Sequence, residues 1–268
     1  MKPPIQYFGA KGALAERIVA LMPPHAGYVE PYAGSLAVLL AKAPAPAETV
    51  NDIDKRLMTF WRVLRDRPED LIRAAALTPH SRAELESVQT LDATDDLELA
   101  RQVWVLLTQG RSRTLQRTGW RFFAKPDRGG SSFGQYMAAY RDRLPAAAER
   151  LAEVTLECRP ALQVIEQYGA HAGNLLYVDP PYSTETRGGG RYSHEMSRQD
   201  HVDLAHELKR VSAAVMLSGY PSPMYEDLYR DWYQVFIPTS SSNATDRARL
   251  EVVWSNRELE STLFEVTA

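Results

Sequence analysis

Leu175-Leu176-Tyr177-Val178 is a short apolar run that stops abruptly at Asp179-Pro180-Pro181-Tyr182. A run that is apolar at successive positions fits a strand covered on both faces, as in a parallel sheet between helices. The two prolines cannot continue its ladder and end it. Asp179 therefore stands at the carboxyl end of a buried strand, where open α/β sheets place their ligands. A residue before a proline is pushed out of the helical region, so Asp179 and Pro180 make a stiff, extended turn. Neither proline has an N–H, which leaves carbonyls here free to face a ligand.

The rest of the chain alternates short apolar runs with amphipathic stretches, the α/β pattern. The spacing predicts strands at Tyr28–Glu30, Thr49–Asn51, Val154–Glu157, Leu175–Val178, Val215–Ser218, Gln234–Ile237 and Leu250–Trp254. Helices are expected over Lys11–Leu21, Ser35–Ala41, Asp54–Arg65 and Ser197–Val211, the last opened by Ser197 and Asp200 in a capping-box spacing. From about Arg67 to Leu151 no strand is convincing; that stretch reads as several helices plus a polar loop from Gly110 to Gly134. The expected organisation is one sheet-based domain over residues 1–66 and 152–268, interrupted by a helical insertion over 67–151. A chain of 268 residues is long enough for it. Ala43-Pro44-Ala45-Pro46-Ala47 reads as a short, stiff connector.

The formal net charge of −3 argues against a chain that is basic all over, but local clusters of Lys and Arg decide nucleic-acid binding. No apolar run is long enough to span a bilayer, and Met1-Lys2-Pro3-Pro4 lacks the regions of a signal peptide, so a cytoplasmic protein is expected. Cys158 is the only cysteine, which excludes an intrachain disulfide and a cysteine zinc site. It is expected to be a small buried filler at a strand end. Cytosine C5 methylases attack with a cysteine typically preceded by proline; Glu157 precedes this one. His194, His201 and His206 have no metal-ligand spacing, and surface or helix-packing roles are expected of them. No metal is expected.

Three motifs carry chemistry. An exocyclic amine of a nucleobase is a poor nucleophile, because its lone pair is delocalised into the ring. A carboxylate such as Asp179 and a neighbouring backbone carbonyl can accept its two hydrogens, draw the nitrogen toward tetrahedral geometry and free the lone pair for in-line attack. Tyr182 offers a ring on which a base taken out of the duplex can stack. The second motif, Tyr28-Val29-Glu30-Pro31-Tyr32-Ala33-Gly34-Ser35, is a strand entering a glycine turn before a helix, and Asp52 ends the next strand about 20 residues on. In nucleotide-binding sheets an acid there holds ribose hydroxyls. A full Gly-x-Gly-x-x-Gly and a phosphate-loop Lys-Ser/Thr pair are both absent, which argues against ATP chemistry. The third is Tyr7-Phe8-Gly9-Ala10-Lys11-Gly12. A lysine at a helix start opposes the helix dipole, so Lys11 calls for an anionic partner such as a cofactor carboxylate.

In this order the motifs resemble the class alpha DNA adenine-N6 methyltransferases, the Dam-type family. That family has an N-terminal aromatic-x-Gly-x-Lys segment, an aromatic-Val-Glu-Pro-Phe-x-Gly strand and turn, an acidic strand end, an inserted helical target-recognition domain and then Asp-Pro-Pro-Tyr. The match runs from about Ile5 to the C-terminus, including Ser218-Gly219-Tyr220, Trp232-Tyr233 and Ser241-Ser242-Asn243 with Arg247. The resemblance implies a Rossmann-like sheet that binds S-adenosylmethionine, released as S-adenosylhomocysteine. By it, Tyr7, Gly9 and Lys11 contact the cofactor, Glu30 and Gly34 line its methionine side, and Asp52 its ribose. Asp179 lies near the transferred methyl and holds the target amine, with Pro180, Pro181 and Tyr182 beside it. Leu36 stands where the family usually has a second glycine, so a side chain there is expected to crowd the cofactor.

Duplex DNA is the expected partner. Arg111, Arg113, Arg117, Arg121, Lys125 and Arg128 fall in one loop-rich stretch against only Asp127, interleaved with Trp120, Phe122 and Phe123. Basic side chains hold phosphates, and arginine reads guanine in the major groove. Arg187 and Arg191 around Gly188-Gly189-Gly190 are expected to close over DNA or cofactor, and the polar loop Ser240–Arg249, with Asn243, is a second DNA contact. A monomer associated with the nucleoid is expected, with room for a cognate restriction endonuclease. Three alternatives stay open: methylation of a cytosine N4 amine, where Ser-Pro-Pro-Tyr is commoner; an RNA-base methylase; and a DNA-binding protein on a decayed scaffold.

Overall fold

The computed structural model describes residues 1–90, 92–122, 132–182, 193–238 and 250–259. All seven runs expected to be strands are strands: β1 Gly27–Glu30, β2 Ala47–Asn51, β3 Thr155–Glu157, β4 Asn174–Val178, β5 Ala214–Gly219, β6 Tyr233–Pro238 and β7 Leu250–Ser255. They form one mixed sheet in the order β3-β2-β1-β4-β5-β7-β6. Strands β1 to β5 run parallel, and β7 lies antiparallel between β5 and β6. Chain order reverses between β1 and β4, the place where sheets of this kind open a crevice at their carboxyl ends.

The helices are α1 Ala15–Ala20, α2 Ala37–Ala41, α3 Lys55–Asp66, α4 Pro68–Leu77, α5 Arg82–Ser87, α6 Asp96–Gln109, α7 Phe133–Arg141, α8 Leu144–Leu151, α9 Ala161–Gly169, α10 Arg198–Arg210 and α11 Pro223–Leu228. Side chains on a strand point to alternate faces, and both faces of this sheet are covered. Tyr28, Leu175, Tyr177 and Met216 enter one core with α1, α3, α6 and α8. Val29, Leu176, Val178, Val215 and Leu217 enter the other with α9, α10 and α11. The two faces explain why β4 reads as continuously apolar. Local signals set several helix starts: Asp54 and Asp95 cap α3 and α6 through their carboxylates, and Ser197 and Asp200 close the expected capping box on α10.

Two helices begin later than their periodicity suggests. Residues before α1 form turns, with Leu14 N donating to the Lys11 carbonyl at 2.8 Å. Lys11 therefore precedes the helix instead of opening it, and the helix dipole is not what calls for its partner. Helix α2 starts after Leu36, which takes a left-handed conformation with φ 57°.

Between α3 and β3 the described residues form helices α4 to α8 and a non-helical stretch at 110–122 with an isolated bridge between Gly110 and Trp120, and no strand. Helix α6 packs along α3, and Leu57, Trp61 and Leu64 share one core with Val103, Trp104 and Leu107. The helices of residues 67–151 thus extend the core of the sheet itself. Cys158 corrects an expectation: it is exposed, because β3 is an edge strand and the chain leaves the sheet there. His201 packs inside, its Nδ1 at 2.9 Å from the Tyr225 hydroxyl.

Candidate active site

A cleft of about 410 Å³ opens at the carboxyl ends of β1, β2 and β4 and is lined by Tyr7, Gly9, Lys11, Glu30, Gly34, Asp52 and Asp179, among others. Its volume suits a small-molecule ligand. The N-terminal motif, the glycine turn and the two strand ends, apart in sequence, thus meet in one wall.

The glycine turn is held from several sides. Gly34 has φ +50°, and a Cβ there would stand 3.3 Å from the Tyr7 ring. Its N–H donates to Asp52 at 3.1 Å, and its carbonyl accepts from the Trp61 indole at 3.1 Å. Asp52 also accepts from Asp54 N at 2.9 Å. Burial lifts its carboxyl from 3.8 to about 6, against the pull of those two N–H groups. Asn51, fully buried, donates to the Pro31 and Arg159 carbonyls at 2.9 and 3.0 Å and so joins the turns after β1 and β3.

Glu30 is buried and accepts from the Tyr28 hydroxyl and Leu39 N, each at 2.7 Å. Burial outweighs those two donors and raises its carboxyl from 4.5 to about 8. Leu36 does not crowd this wall. It is fully buried in the core beside the sheet and is not among the cleft residues. A glycine suits its position because φ is positive there, rather than because a ligand approaches the backbone.

Lys11 has its anionic partner in the protein. Its ammonium donates to both Asp179 oxygens, at 2.7 and 2.9 Å, and to the Gly9 carbonyl at 3.1 Å. Glu251 stands 3.6 Å from the same nitrogen. Burial raises the Asp179 and Glu251 carboxyls, and Lys11 opposes the rise in both. Pro181 lines the cleft with Asp179, whereas Pro180 and Tyr182 are buried behind it. The Tyr182 hydroxyl bonds to Glu251 and to Asp179, the latter at 3.2 Å. The Lys11 ammonium lies over the Tyr182 ring, 4.7 Å from its centre. The sequence reading missed Glu251, although an acid within the apolar run Leu250–Trp254 was a signal.

The arginine-rich stretch divides. Arg111, Arg113 and Arg117 are exposed, with the Arg111 guanidinium 5.3 Å from the Phe122 ring. Arg121 instead faces inward, donating to Gln6 at 2.8 Å and to the Tyr136 hydroxyl. Trp120 stacks on His80 with ring centres 4.5 Å apart and anchors the loop. Phe8 N donates to the Arg113 carbonyl at 2.8 Å, so this loop is tied to the N-terminal motif. Lys125, Arg128, Asn243, the Gly188–Gly190 run and the Ser240–Arg249 loop lie outside the described residues. Among the described residues no group of three His, Cys, Asp or Glu side chains could hold a metal ion, and no helix is long and apolar enough to cross a membrane.

A half-buried carboxylate followed by Pro-Pro-Tyr, set where the strand order reverses, fits a methyltransferase for nucleobase amines. Residues 7–242 match the model of the D12 class N6 adenine-specific DNA methyltransferase family, and the chain belongs to that family. It is an adenine-specific DNA methyltransferase, and membership implies dependence on S-adenosylmethionine. Similar proteins include the "Type II methyltransferase M1.LlaDCHI" of Lactococcus lactis subsp. cremoris, 27% identical over 252 residues that cover 87% of this chain and 86% of that protein. Another is the "Retron Ec67 DNA adenine methylase" of Escherichia coli, 23% identical over 251 residues, 89% of this chain and 84% of that one.

Proposed function

We propose that the chain methylates the N6 amine of an adenine turned out of duplex DNA at a specific sequence, with the amine held on Asp179 and S-adenosylmethionine in the adjoining cleft. The observation that carries this is the placement of Asp179 in the same cleft wall as Glu30 and Asp52.

The side chains fit the cofactor. Its ammonium is a cation, and Glu30 is a buried acid lining the cleft that such a charge would hold ionised. Asp52 accepts two N–H groups, and its oxygens keep further lone pairs for ribose hydroxyls. When bound, S-adenosylmethionine supplies an electrophilic methyl group. Asp179 accepts one amine hydrogen, and a carbonyl of the Asp179-Pro180 turn accepts the other. Tyr182 stacks on the base once Lys11 has left its ring face. The helices of residues 67–151 form a target-recognition unit on this Rossmann-like sheet, and Arg111, Arg113 and Arg117 contact DNA phosphates or bases. One chain supplies both halves of the site, which supports a monomer. The first relative's printed name, type II methyltransferase, supports a modification role beside a restriction endonuclease.

Expression in a methylation-free bacterial strain, followed by modification-sensitive sequencing of its DNA, tests the reading. N6-methyladenine confined to one short motif is expected, with none from folded Asp179→Ala. Methylated cytosine, or adenine methylation by Asp179→Ala, would overturn it.

A further inference from the structure

We propose that Glu251 on β7 is a positioning residue for methyl transfer: it takes the Lys11 ammonium from Asp179 when the target base enters. The inference rests on the reading of Asp179 as the acceptor of the amine hydrogen.

Lys11 lies where the base must go. Its ammonium engages both oxygens of Asp179 and covers the ring of Tyr182. A base laid against that face of Tyr182 requires it to move, and a base amine must share Asp179 with it. Lys11 is 5% exposed, so leaving its partner without another would strand a buried charge, which is costly. The receiving group must therefore be anionic, buried and close. Glu251 meets all three conditions, since it is 3% exposed with an oxygen 3.6 Å from the Lys11 nitrogen.

The fold has no evident need of an acid at 251. Val252 and Trp254 enter the core on one side of the sheet and Val253 enters the core on the other. Alternation puts Glu251 on the face of Val253, and there it meets Lys11 and Tyr182. The Tyr182 hydroxyl holds the Glu251 carboxylate beside Asp179. The charged and titratable groups around it are Lys11 from the N-terminal motif, Tyr177 on β4, Asp179 and Tyr182 after β4, and Tyr220 after β5.

The test is steady-state methylation by the full-length enzyme, using S-adenosylmethionine and genomic DNA from a methylation-free strain. Glu251→Gln keeps the shape and removes the charge. Lys11 then stays on Asp179, so kcat falls about tenfold or more while KM for the cofactor changes less than about threefold. Losing a neighbouring negative charge also lets Asp179 ionise more readily, so the acid limb of kcat moves to lower pH. A wild-type kcat, or a reduced kcat with an unmoved acid limb, overturns the proposal; the second result is what a merely structural role gives. Should Glu251→Gln fail to fold, Glu251→Asp carries the test. It withdraws the charge from Lys11 and Asp179, so kcat falls and the acid limb again moves to lower pH, and an unchanged kcat or an unmoved limb overturns the proposal. Asp179→Ala, which removes the acceptor, separates the two readings. If it remains active, the amine reading fails and takes this one with it. If it is inactive and Glu251→Gln behaves as wild type, this proposal alone fails.

Discussion

The Lys11 ammonium meets both carboxylate oxygens of Asp179, at 2.7 and 2.9 Å, although the two residues come from opposite parts of the chain. One cation thus lies between two acids, Asp179 and Glu251.

Lys11→Met leaves the buried Glu251 and the half-buried Asp179 without their cation. Breaking a buried pair from one side costs about 3–5 kcal/mol. Burial already raises both acids, and without Lys11 they rise further. They can then take up protons as the pH falls, which relieves the cost. Urea unfolding should therefore show a larger loss of stability at pH 8.5 than at pH 5.5. An equal loss at both values would mean that the pair is not what the lysine stabilises.

Glu30 makes stability itself depend on pH. Its carboxyl is raised in the folded protein from 4.5 to about 8. The folded state therefore holds a proton that the unfolded chain gives up earlier. The resulting stabilisation is fully present below the ordinary glutamate value and is lost as pH rises through about 8. Asp52, raised to about 6, acts in the same direction over a lower window. Without cofactor, the melting temperature should decline from pH 5 to pH 8.5, and Glu30→Gln should flatten the upper part of that decline. The same slope in the variant counts against Glu30 as its source.

Gly34 and Leu36 share a positive φ but should respond differently. Gly34→Ala puts a Cβ at a left-handed position, 3.3 Å from the Tyr7 ring. It should cost about 1–2 kcal/mol in the fold and weaken cofactor binding by calorimetry. Leu36→Ala removes a fully buried side chain from the core and should cost about 2–5 kcal/mol. Its cofactor affinity, measured below the melting range, should stay near wild type. A large loss of affinity there would mean that the leucine does reach the cleft.

Arginines of one loop should separate into two kinds. Arg113 and Arg117 are exposed, and replacing either by Ala should weaken DNA binding and lower the salt slope by about 0.9 for each phosphate that is no longer neutralised. Arg121 is bonded to Gln6 and Tyr136, so Arg121→Ala should lower the melting temperature. Filter binding over a salt series, set beside thermal melts, resolves them. An Arg121→Ala protein of normal stability and reduced DNA affinity would reverse the assignment.

Much of this architecture was legible in the sequence, because its signals are local. Apolar runs located every strand among the described residues, and Ser197 with Asp200 marked the start of α10. Asp179 was legible because two prolines fix the end of its strand. Side-chain partners were not, since they depend on which strands become neighbours. Glu251 reaches Lys11 only through an antiparallel β7 inserted beside β5, and a solitary strand gives no sign of that position. The Leu36 expectation failed for a backbone reason: φ turned the residue into the core. Arg121 looked like the other arginines because the charge pattern is silent about Gln6, which lies at the far end of the chain.

Strands β1 and β4 are hydrogen-bonded neighbours, Gly27 facing Asn174, yet β2, β3 and the helices from α2 to α9 are made between them. Closing so long a loop is entropically expensive and kinetically slow. Until that ladder zips, Glu30 and Asp52 are on one part of the chain and Asp179 on another. A nascent chain that has left the ribosome only as far as α8 lacks β4, so the enzyme's two half-sites come together late in folding, after nearly two thirds of the polypeptide has been synthesised.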